Sequence, residues 1–216
     1  MLVSRVSSVV SVISAVAATL LAPPAQAATC PQAEVIFARG AHEPPGAGLV
    51  GDAFVDALRS KTNKSVGLYA VNYSAEIDFV PGADDMSRRI QYVAANCPET
   101  RLVLGGYSLG AAVTDIVLAV PSPILGFNEP LPPSMNDHIA AVALFGNGTQ
   151  KVFGPVSEIN PIFGAKTIDL CTAGDPICNN NQDPNTWADE WPSHFQAAYI
   201  DSGLVDQAAD FAAGRL

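Results

Sequence analysis

Hydrophobic and polar positions follow two rhythms along this chain. Short apolar runs at Ala33 to Ala38, Gly67 to Tyr73, Leu102 to Leu104, Ile139 to Phe145 and Lys166 to Cys171 read as strands. Stripes at helical spacing lie between them. Val50, Ala53, Phe54, Ala57 and Leu58 form one face, and Met86, Ile90, Val93 and Ala94, within Asp84 to Asn96, form another. Leu109, Ala112, Val113, Ile116, Val117 and Val120 form a third; Leu204, Ala208, Phe211 and Ala212 mark a closing helix. Asp84–Arg88 and Asp85–Arg89 stand i,i+4 on the outer side of the second helix, where they are expected to pair. Apolar strands alternating with helices predict an α/β fold, a parallel sheet covered on both faces. One segment breaks the rhythm: Pro121 to Asp137, with five prolines. It reads as an ordinary long connection. The alternative is a flap whose Ile124, Leu125, Phe127 and Leu131 contact an acyl chain, because long structureless loops in compact domains often carry function.

The first 27 residues carry a different pattern. Arg5 supplies a positive start, Val6 to Leu21 is apolar or small, and Ala25-Gln26-Ala27 fits a small-x-small cleavage site. This reads as a signal peptide over residues 1–27, not a permanent anchor, since serines and Pro23-Pro24 interrupt the run. Residues 28–216 then form a single domain, long enough for a substantial core. The expected product is soluble, outside the cytoplasm, with association with the cell wall left open. The formal charge of −10 becomes −11 without Arg5. With no basic stripe, the chain is not expected to bind nucleic acid, nor to dock on anionic lipid by charge alone.

All four cysteines, Cys30, Cys97, Cys171 and Cys178, lie beyond the leader. In an exported chain they read as two disulfides, with three pairings possible. The seven-residue spacing makes Cys171–Cys178 the natural local pair, which leaves Cys30–Cys97. A zinc site is the weaker alternative, because no paired C-x-x-C is present and the histidines are scattered.

The chemistry centres on Arg101 to Val120. An apolar strand runs into Gly106-Tyr107-Ser108-Leu109-Gly110, a G-x-S-x-G turn that opens a helix. A serine on such a turn projects its hydroxyl at the carboxyl end of the sheet, with the helix N-terminus beside it. An alcohol needs a base, and the base an orienting acid. In this strand–turn–helix setting the order is Ser, then Asp or Glu, then His. His194 is the histidine that follows Ser108 and the fifth strand; His42 stands on the wrong side of that order, and His138, before a strand, reads as loop or strand edge. Asp175, in the loop after the fifth strand, is the favoured acid over Asp169, Asp183 and Asp189. The oxyanion hole is expected from the N–H groups of Leu109 and Ala41, the latter in the turn after the first strand.

These residues resemble the cutinase family of secreted serine esterases, most closely its actinobacterial cutinase-like branch. The likeness rests on Ala38-Arg39-Gly40-Ala41-His42-Glu43-Pro44-Pro45, the Ser108 elbow, Cys171-Thr172-Ala173-Gly174-Asp175-Pro176-Ile177-Cys178, and His194 before the final helix. It implies a small α/β-hydrolase with a five-stranded parallel sheet flanked by helices, acting through Ser108, Asp175 and His194, with disulfides Cys30–Cys97 and Cys171–Cys178. It implies hydrolysis of lipid or short-chain esters. The mechanism requires no metal or organic cofactor, and a monomer with no stable membrane anchor is expected. An acyltransferase on envelope lipids, or a secreted lipid-binding protein with a vestigial site, are the alternatives. Two positions depart from the family pattern: Leu109 stands where Gln is usual, and Ala41 where Ser or Thr is common. The loss of polar oxyanion support predicts a slower enzyme than a typical cutinase, or one tuned to a bulky acyl group.

Overall fold

The computed structural model describes residues 30–179, 183 and 185–216; the expected leader lies outside them. Five parallel strands form one sheet in the order β2-β1-β3-β4-β5: β1 Ala33–Ala38, β2 Val66–Ala70, β3 Arg101–Tyr107, β4 Ile139–Phe145 and β5 Thr167–Leu170. Residues 33–38 of β1 and 139–145 of β4 are buried throughout, as strands covered on both faces must be. Alternate side chains serve opposite layers. Ile36, Ala38, Leu102, Leu104, Val142 and Leu144 meet helices α2 (Val80–Asn96) and α3 (Leu109–Ala119). Val35, Phe37, Val103, Ala143 and Phe145 meet α1 (Gly48–Lys61) and the closing helix (Leu204–Ala213). On that second side Phe37, Phe54 and Phe145 pack with ring centroids 5.9–6.3 Å apart. From β1 the chain steps outward to β2, then returns to the other side of β1 as β3. That reversal opens a crevice at the carboxyl ends of β1 and β3, where ligands settle in open α/β sheets.

The sequence pattern misplaces some boundaries. Strand β2 stops at Ala70, not Tyr73. Val71 still donates to Phe37 O, but Tyr73 turns inward to hold the loop after β1. Helix α2 begins at Val80, four residues before the expected Asp84, with Pro81 in its first turn, where a missing N–H costs nothing. The expected i,i+4 pairs on α2 do not form. Arg89 instead makes two bonds, 2.7 and 2.6 Å, to Glu34 on β1. Asp85 accepts from Tyr69 and the Asn72 N–H, and Asp84 accepts the N–H groups of Asn128 and Glu129. A bidentate partner or an otherwise unpaired N–H outweighs the ~0.3–0.5 kcal/mol of an exposed helix pair.

The Pro121–Asp137 segment is anchored at its middle and exposed at its tip. Phe127 is buried against the α2–α3 layer with Leu131 beside it; of the four apolar residues considered for substrate contact, Ile124 and Leu125 are exposed. Between β4 and β5 the chain forms three single-turn helices that no periodicity announced: α4 (Gln150–Phe153), α5 (Val156–Ile159) and α6 (Pro161–Gly164). After β5 come α7 (Trp187–Glu190), a 3-10 turn (Trp191–His194), α8 (Gln196–Asp201) and the closing helix, α9. Disulfides join Cys30 to Cys97 at the end of α2, and Cys171 to Cys178 across the loop after β5. Among the described residues no helix is long and apolar enough to cross a membrane.

Candidate active site

The elbow is a place of backbone strain. Ser108 sits at φ 55°, ψ −115°, a region that costs a side-chain-bearing residue about 1–3 kcal/mol. Two glycines make the turn possible. A Cβ on Gly106 would lie 2.1 Å from Gly110 O, and one on Gly110 would lie 1.9 Å from Ala38 O. The second contact also brings the end of β1 against the elbow. The Ser108 N–H donates to Phe145 O, which pins the turn to β4. The Ser108 hydroxyl does not cap α3; it points to His194, with Oγ 2.8 Å from Nε2.

His194 lies at the end of the 3-10 turn and is almost wholly buried. Its Nδ1 lies 2.7 Å from Asp175 Oδ2. With Nδ1–H donating to that carboxylate, Nε2 is left to accept from the Ser108 hydroxyl. The ring is gripped from several sides. Tyr107 stacks on it at 5.5 Å and donates its hydroxyl to the His194 carbonyl, and Trp191 lies 5.4 Å away. Gly146, at the end of β4, backs the ring so closely that a Cβ there would fall 2.9 Å from Cε1.

Asp175 is fully buried in the loop closed by Cys171–Cys178. Burial alone would push its carboxyl up. The bonds from His194 and Tyr199 and the 2.7 Å bond from the Ile177 N–H outweigh that effect and hold it below the usual carboxylate value. The carboxylate is therefore a stable anion that fixes the imidazole. A brace supports the loop from below. Lys151 donates to Pro176 O at 2.9 Å and Gln150 to Cys178 O at 3.2 Å.

The turn after β1 is built on a buried charge network. Arg39 donates to the carbonyls of Glu43 and Tyr73 at 2.8 and 2.6 Å, and the Tyr73 hydroxyl donates to Arg39 O. Glu43 returns its carboxylate to the N–H groups of Gly40 and Leu49 at 2.7 and 3.0 Å. These bonds consume the neighbouring backbone groups. The N–H groups of Ala41 and Leu109 donate to no protein group among the described residues.

Each residue expected from the sequence thus has a place. Ser108, His194 and Asp175 lie in one hydrogen-bonded line, and Ala41 and Leu109 sit on the two turns that flank the hydroxyl. His42 is exposed, 3.4 Å from Glu76, and His138 lies at the opposite end of the sheet, before β4. Three supports escaped the sequence reading. Tyr199, Tyr107 and Glu43 carry no motif of their own, although Tyr107 stands inside the elbow and Glu43 in the quoted turn. Tyr199 follows His194 by five residues on a helix that the periodicity did not show.

Comparison with known proteins places the chain in a family. The Cutinase family model matches residues 29–216. A probable carboxylesterase of Mycobacterium tuberculosis, Culp2, is 60% identical over 189 residues, covering 88% of this chain and 81% of that one. Phospholipase Culp4 of the same organism is 51% identical over 218 residues, covering 98% and 92%. A Trichoderma reesei cutinase in complex with a phosphonate inhibitor superposes with a TM-score of 0.64 at 30% identity, over 86% of this chain and 76% of that one. On these matches the chain belongs to the cutinase family, and its chemistry is the hydrolysis of carboxylic esters.

Proposed function

We propose that this protein is an exported serine esterase that cleaves esters of apolar acyl chains through an acyl-enzyme. The observation that carries the proposal is the unbroken line Ser108 Oγ to His194 Nε2 at 2.8 Å and His194 Nδ1 to Asp175 Oδ2 at 2.7 Å. Ser108 attacks the ester carbonyl as His194 takes its proton. The carbonyl oxygen becomes an oxyanion held by the N–H groups of Leu109 and Ala41, and Asp175 stabilises the imidazolium. His194 then gives its proton to the leaving alcohol. Water, deprotonated by the same ring, releases the acid and restores Ser108. His194 acts here as a neutral base. The leader pattern, the two disulfides and the family support export.

The surroundings of the triad support an apolar acyl group. Phe195 directly follows His194 and is 48% exposed; Trp187, 45% exposed, donates its Nε1–H to Pro176 O beside the acid. Val152 and Phe153, 74% and 70% exposed, follow the Lys151 that braces the same loop. Large exposed apolar side chains on segments that adjoin the triad's acid and base suit a binding surface for an apolar group. The Leu109 side chain, half-buried against the α2–α3 layer, adds no polar group.

A fluorophosphonate probe tests the nucleophile. The wild type is expected to label and Ser108→Ala not to. A wild type that stays unlabelled, or labelling that survives the substitution, overturns the proposal. A series of p-nitrophenyl esters then reads chain length, with preference expected for medium or long chains over acetate. Product analysis with an added alcohol separates hydrolysis from acyl transfer: release of free acid is expected, and dominant formation of a new ester would assign a transferase.

A further inference from the structure

A second group of acids lies under the site and takes no part in the mechanism above. Asp115, on the second turn of α3, is almost wholly buried, and Asp169 lies on β5. The Asn147 side chain, itself fully buried, donates one NH2 group to both, 2.9 Å to each Oδ2. The two carboxylates are therefore no further apart than those two bonds laid end to end. The Thr149 hydroxyl is also directed at Asp115 Oδ2. Asp115 Oδ1 and Asp169 Oδ1 are buried and have no hydrogen-bond partner among the described residues. Two carboxylates so placed cannot both ionise cheaply. A cation is a poor answer, because an amide NH2 already occupies the space between them. A proton is a good one: with one acid neutral, a single negative charge faces the Asn147 amide.

The cluster is wired to the triad. It joins the elbow helix, the strand that leads to Cys171, and the segment 146–151. That segment backs the His194 ring through Gly146 and holds the acid loop through Gln150 and Lys151. Thr149 is fixed to Asn147 by its N–H at 3.0 Å and accepts the N–H groups of Val152 and Phe153.

We propose that Asp115 and Asp169 share one proton, and that in this state they are positioning residues that lock segment 146–151 under Asp175 and His194. Loss of the proton on the alkaline side sets two like charges against one amide, loosens the segment, and lowers turnover by misaligning the acid and base. Burial, with the nearby Asp115 charge, supports this by pushing the Asp169 carboxyl up to about 7, the Asn147 bond opposing them; burial also pushes Asp115 up. The charged groups around the pair do not change the conclusion. From α3 comes Asp115 itself, from the 146–151 segment Lys151, whose ammonium is committed to Pro176 O, and beyond Gly146 lie Asp175 and His194. Cys171, two residues after Asp169, is in a disulfide.

The sign of the effect on stability follows. The folded value of Asp169 is raised above that of the unfolded chain, so the proton is held by the folded state and released on unfolding. Stability on this account falls as pH rises from the unfolded carboxyl value, about 4, to the folded one near 7, and is level above it.

The test compares the wild type with Asp169→Asn and Asp115→Asn, the amide standing in for the neutral acid. The kinetic arm rests on the triad reading; the other two do not. Expected for wild type is a bell-shaped profile of kcat on a soluble ester, with an alkaline limb that Asp169→Asn removes or moves up by more than about one pH unit. A carboxylic acid carbonyl band in the infrared spectrum at pH 6 is expected to weaken by pH 9 in the wild type, to be missing from Asp169→Asn, and to disappear at a lower pH in Asp115→Asn than in the wild type. Melting temperature is expected to fall between pH 5 and pH 8 by more in the wild type than in either variant. An unchanged alkaline limb in folded Asp169→Asn overturns the positioning role. The same infrared spectrum in all three proteins, or parallel melting curves, overturns the shared proton. If Asp169→Asn does not fold, Asp115→Asn carries all three measurements. If the enzyme proves inactive, the infrared and melting measurements decide the shared proton without it.

Discussion

Tyr199→Phe removes one oxygen and tests how the acid of the triad is held. The Tyr199 ring is fully buried, packed edge-on to Tyr107 and Phe145 at 5.6 and 6.3 Å, so phenylalanine keeps the packing. What goes is the hydroxyl donated to Asp175 Oδ2. Burial pushes the phenol well above its ordinary value, so it is a neutral donor at every working pH. A buried bond to a charged acceptor contributes about 1.5–3 kcal/mol. The carboxylate keeps His194 and the Ile177 N–H, which argues for the lower part of that range. With a urea slope of roughly 2 kcal/mol/M, the midpoint is expected to drop by about 0.8–1 M at pH 7. The pH dependence separates this bond from mere packing. The folded Asp175 carboxyl is held below its unfolded value. Its stabilisation is therefore present above about pH 4 and is lost as pH falls through the folded value. The gap between wild type and Tyr199→Phe should be full at pH 7 and smaller at pH 3. kcat/KM should fall less than about tenfold, because the contact between Nδ1 and the carboxylate remains. An equal gap at both pH values, or one below ~0.5 kcal/mol at pH 7, refutes the reasoning.

Three further outcomes follow from the same geometry. Ala41→Ser combined with Leu109→Gln should raise kcat by about tenfold or more on a short ester, by restoring polar support for the oxyanion; unchanged turnover counts against that account. Replacing Cys171 and Cys178 by serine should cost about 2.5 kcal/mol in a urea titration and replacing Cys30 and Cys97 about 4, yet the first pair should lose more activity in the folded protein, because it closes the loop of Asp175. Trp187→Ala with Phe153→Ser should lower kcat/KM for a long-chain p-nitrophenyl ester roughly tenfold relative to the butyrate, with the butyrate itself little changed.

Much of this molecule was legible because its signals are local. The five strands are short apolar runs, and the elbow is a five-residue pattern whose glycines answer to contacts of 2.1 and 1.9 Å within the same turn and with β1. The order of Ser108, Asp175 and His194 needed no knowledge of distance. Glu43, Tyr73 and Tyr199 were not legible in the same way. Each acts on backbone or a carboxylate that another element delivers, and a side chain's neighbours across a fold leave no period in its own sequence. The i,i+4 pairs on α2 failed for the same reason: Arg89 found Glu34, 55 residues away.

Asp115 is the instructive intermediate. It sits in a helix whose buried residues are otherwise glycine, alanine, valine, leucine and threonine, so its charge contradicts the pattern around it. Asp169 contradicts its own strand likewise, between Ile168 and Leu170. A buried acid is costly unless something nearby answers it, and sequences that fold well keep such conflicts only where they serve a purpose. Here the two conflicts meet on one amide beneath the triad. Read together, they would have pointed from the sequence to a polar centre inside the core. The apolar stripe that located α3 so well is what concealed it, because a count of hydrophobic positions passes over the one residue that does not fit.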